Sequence, residues 1–159
     1  MDVEKKRTLL FLCTGNSCRS QMAEGFARAY GGDFLAVFSV GTRPTALHPL
    51  TVEVMCEVGV DISGQYAKGL EHVPHDVDIA VTVCDQAAEA CPVLPGAELL
   101  HWSLPDPAAA TGSLDEIMAQ FRAVRDQIQS LVRELVERLR RETRTENREP
   151  RIEGTADEG

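Results

Sequence analysis

A chain of 159 residues with 43% hydrophobic residues is long enough to form one domain with a buried core. Its formal net charge of −9 disfavours nucleic acid as a partner, because an acidic surface repels phosphate backbones. No apolar run approaches the roughly 18 residues of a membrane span, and the run at 8–13 is shorter than a secretory signal of about 7–15 apolar residues. We therefore expect a cytoplasmic protein that does not bind membranes.

The odd number of cysteines argues against a framework of structural disulfides and favours reduced thiols. The five are Cys13, Cys18, Cys56, Cys84 and Cys91. We expect Cys18 to be a bystander, and Cys56, on an apolar helix face, to belong to the core.

Apolar periodicity and turn residues predict strands that alternate with helices. In chain order these are a strand at 8–12, a helix from 20 that stops at 31–32, a strand at 34–40, a helix from 49 to 59, strands at 77–83 and 97–101, and a helix that begins with a capping box at 113–116 and carries an apolar stripe to 139. The charged segment 142–159 has no such periodicity and is predicted to be a disordered tail.

The alternation predicts a single α/β domain at 1–141, a three-layer sandwich around a four-stranded parallel sheet. Ligands of such sheets bind beyond the carboxyl ends of the strands. Cys13 and Cys84 each directly follow a predicted strand, so we expect both at this edge of the sheet.

The segment "CTGNSCRS" joins the first strand to the first helix with small and polar residues. Its backbone N–H groups, the helix dipole and the guanidinium of Arg19 predict a metal-free oxyanion site with Cys13 as a thiolate, to which Ser20 donates a hydrogen bond. The alternative is a buried, inert Cys13 and a surface Arg19. The predicted oxyanion-binding residues are Thr14, Gly15, Asn16, Ser17, Cys18, Arg19 and Ser20.

This loop, followed by "QMAEG", resembles the active-site loop of thioredoxin-coupled arsenate reductases, which share their fold with low-molecular-weight protein tyrosine phosphatases. The resemblance extends over about 8–139. The loop alone does not separate the two families, but arsenate reduction needs two electrons, which a dithiol supplies on becoming a disulfide.

The segment "VTVCDQAAEACPVLP" is similar to the redox segment of the reductases. The resemblance implies that Cys13 forms a thiol–arsenate adduct, that Cys84 attacks Cys13 and releases arsenite, and that Cys91 then takes Cys84 into a disulfide that thioredoxin reduces. If 84–91 were helical, its ends would lie about 10 Å apart, whereas a disulfide tolerates about 4.4–6.8 Å. Oxidation should therefore unwind 85–90.

Other interpretations of these cysteines stay open. Cys84 and Cys91 are either packed thiols or, with His101, ligands of zinc, although the spacing lacks a zinc knuckle. A low-molecular-weight phosphatase that uses Cys13, Arg19 and Asp106 is the main alternative function, and a thiol sensor of oxyanions is a third. We expect a monomer with no cofactor.

Asp106 lies in "HWSLPDPA", and the resemblance implies that it protonates the departing oxygen, shielded by Trp102. The alternative is a simple Pro-Asp-Pro turn. Some relatives bind potassium beside the loop, and three of their ligands match Asn16, Glu24 and Ser39. Lys68 stands at the position of the fourth, so its ammonium is expected to replace the ion.

Overall fold

The computed structural model describes the backbone of residues 6–158 and the side chains of residues 6–145. Its strands and helices are β1 (Arg7–Cys13), α1 (Arg19–Gly31), β2 (Leu35–Gly41), α2 (Pro49–Glu57), β3 (Ile79–Thr82), α3 (Asp85–Glu89), β4 (Glu98–His101) and α4 (Leu114–Glu158). The strands are parallel and lie in the order β2-β1-β3-β4. The predicted single-domain α/β fold with a four-stranded parallel sheet is confirmed.

The strand register brings the ends of three strands level with one another. Cys13, at the end of β1, pairs with Gly41 at the end of β2, and Leu12 pairs with Thr82 at the end of β3. The two central strands, β1 and β3, are almost entirely buried, as expected when helices cover both faces of a sheet. Cys13 and Cys84 therefore emerge at the same edge of the sheet.

Helix α4 packs along α1 and α2 and begins at the predicted capping box. Glu116 N–H donates to Ser113 Oγ at 3.1 Å, and Ser113 N–H donates to Glu116 Oε1 at 2.8 Å. Glu57, the last residue of α2, accepts hydrogen bonds from Arg122 and Arg125 of α4. These contacts attach α2 to α4. They also hold in place the segment 42–48, which precedes α2 and lies beside the loop that follows β1.

The ion pairs of Glu57 should make the free energy of unfolding depend on pH in the acidic range. Hydrogen bonds from Arg122, then from Arg125, lower the pKa of Glu57 from 4.5 to about 2. A carboxylate with a lowered pKa stabilises the fold above its unfolded pKa, and this stabilisation is lost as pH falls from about 4.5 to about 2. Chemical denaturation of Glu57→Gln should show a flatter dependence of unfolding free energy on pH in that window; a slope equal to the parent's would contradict this.

Two expectations differ from the structure. Helix α4 continues through 142–158, where we predicted disorder; Glu142 pairs with Arg7 of β1, which holds the helix to the domain at that point. The side chains of 146–158 lie outside the described residues, and the division into a domain and a tail stays a prediction. Cys56 is exposed rather than buried, because α2 turns Thr51, Val54 and Met55 toward the core.

No helix in the described part of the chain has the length and the apolar composition that crossing a bilayer would need.

Candidate active site

The loop 13–18 is anchored by its carbonyl oxygens to the segment that follows β2. Four loop carbonyls accept hydrogen bonds of 2.8–3.1 Å from backbone N–H groups of that segment. The pairs, donor first, are Thr42 to Cys13, Arg43 to Thr14, Thr45 to Gly15 and His48 to Ser17. These bonds direct the loop carbonyls toward the segment after β2, which is the arrangement expected of a loop whose N–H groups bind an oxyanion.

The sulfur of Cys13 lies among hydrogen-bond donors at the bottom of the loop. Asn16 N–H donates to Cys13 Sγ at 3.1 Å, and Ser20 Oγ lies 2.8 Å from the same sulfur. Ser20 Oγ also accepts a bond from Asn16 Nδ2 at 2.7 Å, which leaves the serine proton to be donated to the sulfur. Both donors stabilise negative charge on Cys13.

Asn16 organises the loop through its side chain and its backbone. Its φ of 51° is left-handed, a conformation that asparagine tolerates better than most residues. Its Oδ1 accepts from Lys68 N–H and Gln21 Nε2, and its Nδ2 donates to Ser39 Oγ. The amide thus joins the loop to α1, β2 and the segment around Lys68.

Gly41 allows β2 to approach the loop closely. A Cβ built on Gly41 would lie 2.6 Å from Thr14 O and 2.8 Å from Asn16 N, both backbone atoms that cannot rotate away. We expect Gly41→Ala to lower the unfolding free energy by about 1–3 kcal/mol and to lower turnover, because the loop must shift. Urea denaturation and an activity assay measure both effects.

Gly64→Ala is the matched control for Gly41→Ala. A Cβ on Gly64 meets no atom within 4 Å, so stability should change by less than about 0.5 kcal/mol. Equal effects of the two substitutions would show that contact with the loop is not the cause.

Arg19 and Asp106 lie beside each other in the lining of a cleft of about 340 Å³, which Cys13 also lines. Arg19 Nη1 donates to Leu104 O at 2.9 Å, and Arg19 Nη2 lies 3.8 Å from Asp106 Oδ2. The guanidinium of Arg19, the first residue of α1, is thus held in place, and both Arg19 and Asp106 line the cleft of Cys13. Asp106 keeps 46% of its side-chain surface exposed, so Trp102 does not shield it as predicted; the indole packs on Phe11 instead.

Cys84 is the residue that caps α3, and it contacts the loop. Its Sγ accepts a bond from Ala87 N–H at 3.4 Å and lies 3.2 Å from Thr14 Oγ1, the hydroxyl of the residue after Cys13. The same hydroxyl donates to Gln86 Oε1 at 3.1 Å. A second cavity of about 380 Å³ adjoins Cys84 and shares Thr14, Arg19, Gln86 and Asp106 with the first.

Cys91 is partly buried just beyond α3, and burial raises the pKa of its thiol. The segment between Cys84 and Cys91 is helical at 85–89, a shorter helix than the 84–91 on which the predicted separation of about 10 Å was based, and the unwinding of this segment on oxidation stays a prediction. Burial also raises the pKa of Cys18, which is in keeping with a bystander role. Within residues 6–145 no cluster of three His, Cys, Asp or Glu side chains is placed to hold a metal, so the zinc ligand set of Cys84, Cys91 and His101 does not form.

The four residues of the expected cation site lie together behind the loop. Ser39 Oγ donates to Glu24 Oε1 at 2.5 Å and accepts from Asn16, while Lys68 Nζ lies 3.8 Å from the same carboxylate oxygen. Glu24 is buried, with a second partner in Arg28. Burial lowers the pKa of Lys68, against the opposing effect of Glu24.

Sequence reasoning missed two residues of the site. Arg43 lines the cleft beside Cys13 and Arg19, and Gln86 lines both cavities. Arg43 is a lone basic residue in a loop, so only the pairing of its backbone with Thr14 places it there. Gln86 follows directly after Cys84 and Asp85, and that adjacency was the one signal for it.

Comparison with known proteins identifies the class to which this fold and site belong. The family model for low molecular weight phosphotyrosine protein phosphatases matches residues 8–145. The chain belongs to this family, and within it the relatives below are arsenate reductases.

An arsenate reductase from Bacillus subtilis (strain 168) is 43% identical over 135 residues, which cover 84% of this chain and 97% of that protein. A solved arsenate reductase in the oxidized state superimposes with a TM-score of 0.72 at 32% identity, over 83% of this chain and 98% of that one. A thioredoxin-dependent arsenate reductase of Corynebacterium glutamicum gives a TM-score of 0.66 at 27% identity, over 85% of this chain and 62% of that one.

Proposed function

We propose that this enzyme reduces arsenate to arsenite through a relay of Cys13, Cys84 and Cys91, with thioredoxin as the reductant. The observation that carries the proposal is the contact of Cys84 with the loop of Cys13, through the 3.2 Å approach of its sulfur to Thr14. A phosphatase needs one sulfur at this edge of the sheet; here a second thiol adjoins the anion cleft and a third follows one short helix later. The names of the relatives support the same reaction.

The chemistry begins with arsenate held by Arg19 and the loop N–H groups. Cys13 attacks arsenic and forms a thiol–arsenate adduct, and Asp106 protonates the oxygen that leaves as water. Cys84 then attacks the Cys13 sulfur; the sulfur–arsenic electron pair stays on arsenic, which departs as arsenite, and a Cys13–Cys84 disulfide forms. Two electrons have passed from two thiols to arsenic.

The second exchange moves the disulfide outward. Cys91 attacks Cys84, and Cys13 leaves as a thiolate that the donors of Asn16 and Ser20 stabilise. We expect helix α3 to open for this step, because it stands between Cys84 and Cys91 and a disulfide requires their α carbons to lie within about 4.4–6.8 Å.

The proposal also includes Lys68 as a replacement for potassium. Its ammonium faces the buried Glu24 carboxylate and donates to Tyr66 O at 2.7 Å. Turnover should therefore be equal in potassium and sodium salts at the same ionic strength, while Lys68→Asp should acquire a requirement for potassium. Strong activation of the parent by potassium over sodium, measured in the steady state, would contradict this role.

The direct test of the function is steady-state reduction of arsenate with thioredoxin, thioredoxin reductase and NADPH. NADPH oxidation should equal the arsenite formed and should require both arsenate and thioredoxin. Binding of arsenate without turnover would instead indicate a sensor, and hydrolysis of aryl phosphates without arsenite formation would indicate a phosphatase. We expect the enzyme to act as a monomer in the cytoplasm, where thioredoxin keeps thiols reduced.

A further inference from the structure

His101 joins the two residues that enclose the Cys84 segment. Thr82 ends β3 and Asp85 begins α3, so Cys84 lies on the short connection between them. His101 Nδ1 lies 2.7 Å from Thr82 Oγ1, and His101 Nε2 lies 2.9 Å from Asp85 Oδ1. One imidazole on β4 thus bridges the connection that carries the second sulfur.

The hydrogen-bond chemistry of the three groups makes this bridge directional. A carboxylate only accepts, so His101 Nε2–H donates to Asp85; in the neutral ring Nδ1 then accepts from the Thr82 hydroxyl. Thr82 and His101 are also register partners on neighbouring parallel strands, which keeps their side chains on one face of the sheet. The contact between His101 and Thr82 is therefore fixed by the sheet, whereas the hydrogen bond between His101 and Asp85 can break when α3 moves.

We propose that His101 is a positioning residue of the relay, a brace that holds Asp85 and thereby keeps Cys84 directed at the active-site loop. The proposal rests on the function proposed above. In the reduced protein the hydrogen bond from His101 to Asp85 holds the first turn of α3 against β4. Asp85 belongs to the segment that has to loop out when Cys91 approaches Cys84, so the brace opens in the oxidised form.

The brace should therefore affect the equilibrium between the Cys84/Cys91 dithiol and the Cys84–Cys91 disulfide. A contact made only in the reduced form stabilises the dithiol, so its loss should shift the equilibrium toward the Cys84–Cys91 disulfide. In a Cys13→Ser background this equilibrium is set by oxidised dithiothreitol. The cyclic reagent takes two electrons and two protons from Cys84 and Cys91 and opens to its dithiol, while the protein thiols join.

Asp85→Ala and His101→Ala should each raise the equilibrium constant for disulfide formation by about three- to tenfold, as expected for one exposed hydrogen bond to a carboxylate with a second hydrogen bond behind it. The double variant should equal the single ones, because either substitution already opens the brace. Glu98→Gln is the matched control: Glu98 is also on β4 and pairs with Arg138 of α4. It should leave the equilibrium unchanged.

Amide hydrogen exchange of the reduced protein is an independent test of whether the brace stabilises α3. The N–H groups of Ala88 and Ala90, bonded to Cys84 O and Gln86 O, should exchange faster in Asp85→Ala than in the parent. Asp85→Ala alters no residue of the sheet, so the test holds even if His101→Ala fails to fold.

The outcomes separate the brace from the relay. Unchanged equilibria, additive single effects or unchanged exchange at Ala88 and Ala90 would overturn the brace while the disulfide still forms normally. If the Cys13→Ser parent forms no Cys84–Cys91 disulfide at all, the relay itself is overturned, and with it the role of His101 in positioning Cys84.

Discussion

Cys91→Ser should reduce one equivalent of arsenate and then stop. The first two thiols can still form the adduct and release arsenite, but the resulting Cys13–Cys84 disulfide joins residues that are only 2% and 7% exposed. Thioredoxin attacks a disulfide through an accessible sulfur, so it cannot regenerate Cys13 there. Steady-state turnover should fall by on the order of 100-fold or more, while a single-turnover assay still yields arsenite.

Cys56→Ser is the matched control for the loss of a thiol. Cys56 is exposed on α2, away from the loop, and its replacement should leave turnover intact. Mass analysis of the stalled Cys91→Ser protein should find the Cys13–Cys84 disulfide. Multiple turnovers by Cys91→Ser at the rate of the parent would remove the third cysteine from the mechanism and favour a phosphatase-like site.

Arg19→Lys should abolish most of the activity while the fold is retained. The guanidinium presents a planar fork to two oxygens of the oxyanion, and an ammonium cannot replace both bonds while also holding Leu104 O. Loss of a preorganised charged donor at the reacting oxyanion lowers kcat/KM by about 10²–10³-fold. Arsenate reduction kinetics, with inhibition by phosphate as a measure of anion binding, test this expectation.

Arg43→Lys separates the specific contact from the general positive charge of the cleft. Arg43 lines the same cleft but is exposed, so a lysine there keeps the charge and should change kcat/KM far less than Arg19→Lys does. Equal losses in the two variants would mean that charge alone, and not the fork of Arg19, holds the oxyanion.

The sequence predicts the strands and helices that position the site because buried parallel strands and amphipathic helices leave strong local patterns. The run at 8–12 became β1 at Arg7–Cys13, and the Ser113–Glu116 box starts α4 as expected. The loop was recognisable because its small residues and Arg19 have no packing explanation. Cys56 was misjudged, because a nine-residue helix offers too few turns to show which face is buried.

What the sequence by itself determined is the order of the elements, the parallel sheet and the presence of Cys13 and Cys84 at the ends of strands. These follow from the apolar periodicity of each strand and helix and from the helical connections between successive strands, and both are visible within a short stretch of sequence. Only the tertiary structure decided which groups meet across elements. It set the contact of Cys84 with Thr14, the approach of Gly41 to the loop and the bridge from His101 to Asp85. Such contacts depend on strand register and on packing between residues far apart in the chain, for which no local pattern exists.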